Sequence, residues 1–123
     1  MRNLTRRTLP LLLPFAAPAG AHAIIRRSEP AAGASVPPGP VQLRLVFNSR
    51  LDHGRSALHV APMRLGGGGS ADEVDVPLAA DSPAAELIGT TGPLSPGAWR
   101  VRWQVLALDG HITRGDIPFT VAG

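Results

Sequence analysis

An all-β fold, a small Ig-like Greek-key β-sandwich or barrel of about seven strands, is predicted by three observations. Residues 41–47 alternate, with Val41, Leu43, Leu45 and Phe47 on one side and Gln42 and Arg44 on the other. Residues 99–105 alternate more cleanly still: Trp99, Val101, Trp103 and Val105 share one face, and Arg100, Arg102 and Gln104 the other. A helix would mix Arg102 into the apolar stripe, so both segments are strands. Third, no amphipathic helical pattern of useful length occurs, and ten of the thirteen prolines lie after residue 22, scattered with glycines between short apolar runs.

The remaining strands are weaker. Residues 24–27, 57–61, 74–78, 85–88 and 117–121 carry short apolar or β-branched runs bounded by turn residues. The turn signals are Pro37-Pro38-Gly39-Pro40, Ser95-Pro96-Gly97 and the run Gly66 to Gly69 followed by Ser70. The glycine run reads as a hairpin tip, because neither flank is long enough to fold alone. Many short strands without helices imply a two-layer core, built from Leu43, Leu45, Phe47, Trp99, Val101, Trp103, Val105, Ile117 and Phe119. Burying such side chains is worth about 1.5–3 kcal/mol each before the entropy of ordering is subtracted.

Charge is unevenly distributed along the 123 residues. Arg2, Arg6 and Arg7 lie in the first seven positions, and no acidic residue precedes Glu29. From residue 22 onward nine arginines face nine carboxylates, so the net charge of +3 belongs to the N-terminal segment. The residues beyond it lack the basic patch with interleaved aromatics that nucleic-acid binding needs, and no nucleic-acid partner is expected. The arginines, the apolar residues 9–17 and the small residues Ala19-Gly20-Ala21 together read as an export signal. The apolar stretch is too short and proline-broken to span a bilayer, which takes about 20 apolar residues, so the mature protein is not expected to be membrane-spanning. Arg6-Arg7 resembles a twin-arginine motif, which leaves the general and twin-arginine export routes both open. The expected organisation is a signal peptide over residues 1–21 and one β-domain over residues 22–123, periplasmic or secreted. Cleavage after Ala21 leaves His22 first; cleavage after Ala23 removes it. No cysteine is present, so neither disulfides nor thiolate metal sites are available.

An enzyme is hard to assemble from these residues. No Gly-x-Ser-x-Gly, Ser-x-x-Lys or His-Glu-x-x-His pattern occurs, and the chain has no lysine to follow a phosphate-cradling glycine loop. A metal site is easier to build. Asp109-Gly110-His111 follows directly on the strongest strand, with glycine permitting a tight bend between a carboxylate and an imidazole. By itself Asp-Gly is also an ordinary turn. His22 at a new N-terminus adds an α-amine, which titrates at about 7.7–8.0, and an imidazole, which together close a chelate ring. Three nitrogens and one oxygen suit tetragonal Cu(II); zinc prefers a tetrahedral set.

With these residues in place, the chain resembles the CopC-type periplasmic copper-binding proteins of bacterial copper resistance. The resemblance runs from His22-Ala23 through Ser28-Glu29-Pro30-Ala31-Ala32-Gly33, Leu43-Arg44-Leu45-Val46-Phe47, Leu94-Ser95-Pro96-Gly97 and Trp99-Arg100-Val101-Arg102-Trp103 to Asp109-Gly110-His111 and Gly115-Asp116-Ile117-Pro118-Phe119-Thr120-Val121. Each fragment is unspecific, but their order and spacing are specific. The resemblance implies a seven-stranded Greek-key barrel or sandwich and one Cu(II) per chain, held by His22, Asp109 and His111. It further implies a non-catalytic role in copper buffering or delivery, with an inner-membrane copper transporter of the CopD type as a partner. Two departures stand out. Some members look like two-site proteins with a methionine-rich loop for Cu(I), whereas here only Met63 follows the signal. The family also tends to carry a glutamate shortly after the Phe-containing strand, where this chain has Asn48-Ser49-Arg50.

The other candidate groups have simpler readings. His53 falls in a turn, His59 alternates with Leu58 and Val60 as a solvent-facing strand residue, and Met63 reads as a partly buried packing residue. Two rival functions stay open on the residues alone. An Ig-like adhesion or assembly module predicts no specific copper binding. A histidine-brace copper oxygenase predicts copper with oxidative turnover, but would need a larger aromatic substrate surface than a chain with no tyrosine and two tryptophans provides.

Overall fold

Strict alternation produces strands where it was strongest. The computed structural model describes residues 23–63 and 72–123, with eight strands: β1 (Ile25–Glu29), β2 (Ser35–Val36), β3 (Gly39–Phe47), β4 (Ala57–Pro62), β5 (Val74–Val76), β6 (Glu86–Leu94), β7 (Gly97–Leu106) and β8 (Ile112–Val121). A 3-10 turn, His53–Arg55, lies between β3 and β4. One sheet has the order β1-β3-β6 and the other β2-β8-β7-β4-β5. All neighbours are antiparallel except β2, which runs parallel to the end of β8.

The inward faces of the two sheets form one core. Val41, Leu43, Leu45, Phe47 and Leu87 come from the three-stranded sheet, facing Leu58, Val60, Val101, Trp103, Val105, Ile117, Phe119 and Val121 from the five-stranded one. Phe47 and Trp103 meet edge to face, their ring centroids 5.1 Å apart at 75°. Ala23 and Leu51 close the core at one end, 2% and 5% exposed.

Several expectations are corrected. Among the described residues there are eight strands, in keeping with about seven; the one the pattern did not mark, β2, pairs over only Ser35 and Val36. β6 runs on past residue 88 to Leu94 through Gly89, Thr90, Thr91, Gly92 and Pro93. Proline is tolerated there because β6 is the edge of its sheet, meeting only an isolated bridge from Leu78 at Gly89 on its other side. Thr91 is buried, and its hydroxyl accepts the Val41 N–H at 3.0 Å beside a register shift. β8 begins at Ile112 instead of residue 117, since its inward position 115 is glycine and its outward residues are polar. β5 stops at Val76, before Pro77. Trp99 is only partly buried and donates its indole N–H to the Ser95 carbonyl at 2.9 Å. Met63 is 48% exposed, so it is a surface residue and not a packing one. β4 and β5 do pair as a hairpin, Val60 opposite Val74, while the glycine run joining them lies outside the described residues.

Two of the outward arginines, Arg44 and Arg102, are held by carboxylates. Arg44 Nε donates to Glu86 Oε1 at 2.8 Å, and Arg102 lies between Asp116, at 3.2 Å, and Glu73. Each pair raises its arginine's affinity for the proton; for Arg102 the attraction of Asp116 is the leading cause. Among the described residues no helix is long and apolar enough to cross a membrane.

Candidate metal centre

The ends of strands β7 and β8 create the candidate centre. β7 and β8 form an antiparallel ladder whose last pair is Leu106 with Ile112, so the intervening residues 107–111 must reverse the chain. Gly110 makes this possible with φ +94°, a conformation that a β-carbon disfavours. The reversal is closed by Gly110 N–H donating to the Ala107 carbonyl and Ala107 N–H donating to the His111 carbonyl, both at 2.9 Å. Leu51 bridges Ala107, and Leu108 N–H donates to the Arg50 carbonyl at 3.3 Å, which ties the turn to the segment that follows β3.

This turn brings two of the three expected ligands together. His111 Nδ1 lies 3.1 Å from Asp109 Oδ2, and the His111 backbone N–H donates to Asp109 Oδ1 at 3.0 Å. Both side chains reach solvent, 54% exposed for His111 and 32% for Asp109. Two donors bound at right angles to one ion, each about 2.0 Å from it, sit about 2.8 Å apart. The Asp109–His111 separation is close to that value. Exposed Leu108 and Ile112 flank the pair.

The third expected ligand, His22, lies outside the described residues, but the residue after it is well placed. The Ala23 carbonyl accepts from the Thr113 hydroxyl at 3.0 Å, two residues beyond His111. Ile24 is gripped on both backbone groups by Asn48: its N–H donates to Asn48 Oδ1 at 2.8 Å, and its carbonyl accepts the Asn48 N–H at 3.0 Å. The chain therefore enters the fold alongside the start of β8. Ser49 Oγ, next to Asn48, is buried with no hydrogen-bond partner among the described residues.

The other histidines are elsewhere. His53 Nε2 donates to the Glu86 carbonyl at 2.8 Å, tying the 3-10 turn to β6. His59, half-buried in the middle of β4, has Nε2 3.4 Å from Asp75 Oδ1 on β5. Among the described residues no group of three or more His, Cys, Asp or Glu side chains converges. Sequence reasoning noted Asn48 only as part of a departure from a pattern and did not single out Thr113. Their contacts span 24 and 90 residues, and no local pattern announces such bonds.

Comparison with known proteins is consistent along the chain. The family model of the CopC domain matches residues 25–122. The copper transport protein CutJ of Bacillus subtilis is 25% identical over 101 residues, which is 82% of this chain but 18% of CutJ. YobA of Escherichia coli is 29% identical over 105 residues, covering 82% of this chain and 79% of that protein. Among solved structures, CopC from Methylosinus trichosporium OB3b superposes with a TM-score of 0.68 at 25% identity, covering 82% of this chain and 94% of its own. PcoC, a copper resistance protein from Escherichia coli, superposes with a TM-score of 0.62 at 25% identity, covering 80% and 98%.

Proposed function

Because the chain belongs to the CopC domain family, we propose that it is an exported copper-binding protein that buffers Cu(II) or delivers it to a membrane transporter. The relatives include a copper transport protein and a copper resistance protein, and this supports copper binding as the role of this chain. The finer reading assigns one Cu(II) per chain to His22, Asp109 and His111, after removal of residues 1–21 as a signal peptide. Residues 22–123 then form the working domain, periplasmic or secreted.

The observation that carries this reading is the 3.0 Å bond from Thr113 to the Ala23 carbonyl. It brings the attachment point of His22 alongside the turn that already pairs Asp109 with His111. The donor set fits the ion: imidazole, amine and carboxylate are hard-to-borderline ligands suited to Cu(II), and no thiolate is present to favour Cu(I). Met63 is the only thioether among the described residues and is remote in sequence from the turn. No turnover is required of such a centre. It needs only donors held near one another and open to solvent, as Asp109 and His111 are.

The test begins with the intact mass of the exported protein. A mass for residues 22–123 is expected, and a mass for residues 24–123 would remove the principal chelate and overturn the ligand assignment. Cu(II) titration of the exported protein is expected to reach one equivalent. His111→Ala and Asp109→Ala are each expected to weaken Cu(II) binding with little change in stability, since both side chains are exposed at a turn. Unchanged binding in either variant would remove that residue from the ligand set.

A further inference from the structure

We infer that Asn48 and Thr113 are positioning residues: they fix Ala23 and Ile24 against the Asp109–His111 turn and so preorganise the proposed amino-terminal copper chelate. This rests on the copper reading above and goes beyond it, because neither side chain is among the proposed ligands.

A ligand at a chain terminus is ordinarily a poor one, because a free end must lose its conformational freedom when the metal binds. Here the two residues that follow the proposed chelate are held before any metal binds. The Asn48 side chain and backbone hold both polar groups of Ile24, and the Thr113 hydroxyl holds the carbonyl of Ala23. Three hydrogen bonds in two consecutive residues are more than an edge strand needs. The β1 ladder itself begins only at Ile25, opposite Phe47. Ile24 is 53% exposed, so its N–H would find water if Asn48 were absent, and its capture contributes little to burial. What the contacts do is fix the path of Ala23 and Ile24. Thr113 lies on β8, two residues beyond His111, and Asn48 directly follows β3, whose end is buried against Trp103 through Phe47. Both holding groups therefore stand on the sandwich itself, close to the Asp109–His111 turn.

The test uses the exported protein with three substitutions. Asn48→Ala removes the acceptor for the Ile24 N–H, Thr113→Val removes the hydroxyl donor while keeping the side chain's shape, and Thr113→Ser keeps the hydroxyl. Three quantities are read: Cu(II) affinity by competition titration, the Cu(II) electron paramagnetic resonance spectrum, and hydrogen exchange at the Ile24 amide without metal. Asn48→Ala and Thr113→Val are expected to weaken binding about 10- to 100-fold, the range seen when groups supporting metal ligands are lost, while Thr113→Ser stays near the parent. Their spectra are expected to broaden or shift, and Ile24 exchange is expected to accelerate in Asn48→Ala, with the metal-free melting temperature nearly unchanged. Affinity and spectrum unchanged in both variants, while His111→Ala loses binding, would overturn the positioning role and leave the copper reading intact. A lowered melting temperature with an unchanged spectrum would also overturn it, since that is the mark of a purely structural contact. A parent protein that binds no Cu(II) would overturn the copper reading and this inference together.

Discussion

Trp103 fits inside the sandwich only because position 115 is glycine. A β-carbon at Gly115 would lie 2.5 Å from Trp103 Cζ2 and 2.7 Å from Cε2, distances that side chains do not tolerate. Trp103 cannot yield easily, since its ring packs edge to face on Phe47 at the other sheet. Gly115→Ala is therefore expected to destabilise the domain by about 1–3 kcal/mol through overpacking, measured by urea denaturation. The same glycine concealed the start of β8. Alternation searches look for large apolar residues at every second position, and here the large residue is supplied from the neighbouring strand. Gly110 is the opposite case, legible from sequence because Asp-Gly is a known turn pair and the turn indeed needs its positive φ.

Strands β3 and β6 are coupled on their outer face by Arg44 and Glu86, a diagonal pair in a register that sets Arg44 opposite Ile88 and Val46 opposite Glu86. The hydrogen bond from Arg44 and its positive charge hold the Glu86 carboxyl below the usual range, against the opposing effect of burial. An unfolded glutamate titrates near pH ~4.3, so this contribution to stability is complete above that pH and is lost as pH falls through the lower folded value. Glu86→Gln is accordingly expected to lower stability at neutral pH and to flatten the decline on acidification below about pH 4, followed by denaturant midpoints across that window. Arg44 was readable as an outward-facing strand residue. Its partner was not, because 42 residues separate the two and register is set by the whole ladder. The latter half of β6 was missed for a related reason: glycine, threonine and proline are weak strand formers, and pairing with β3 overrides them.

The two-sheet architecture has to stand on packing alone, since the chain has no cysteine and hence no covalent crosslink. Net stabilities of domains this size are about 5–15 kcal/mol, a small difference between large terms. Removing one central side chain is thus a severe test. Leu45 is fully buried between the sheets, and Leu45→Ala is expected to cost about 2–5 kcal/mol, the transfer term plus a cavity, visible as a lowered urea midpoint. Candidate ligands at an exposed turn should behave differently, with large effects on copper and small ones on folding. That contrast separates a residue that builds the scaffold from one that uses it.

Fold class, the identity of the two central strands and most of the core could be read in the linear chain, because a period of two is a local property that burial on one face imposes directly. Eight of the nine core residues expected from alternation are buried, and Trp99 is half out because it sits near the end of the sandwich. The Asp109-Gly110-His111 turn was also legible, being three consecutive residues with a shared chemistry. Whether Ala23 would lie beside that turn was not. Ala23 and Thr113 are 90 residues apart, and Ile24 and Asn48 are 24 apart, so their meeting depends on how two sheets are stacked and in which register their strands close. Such distances are bridged by cooperative packing of the entire core, and no short stretch of sequence contains that information.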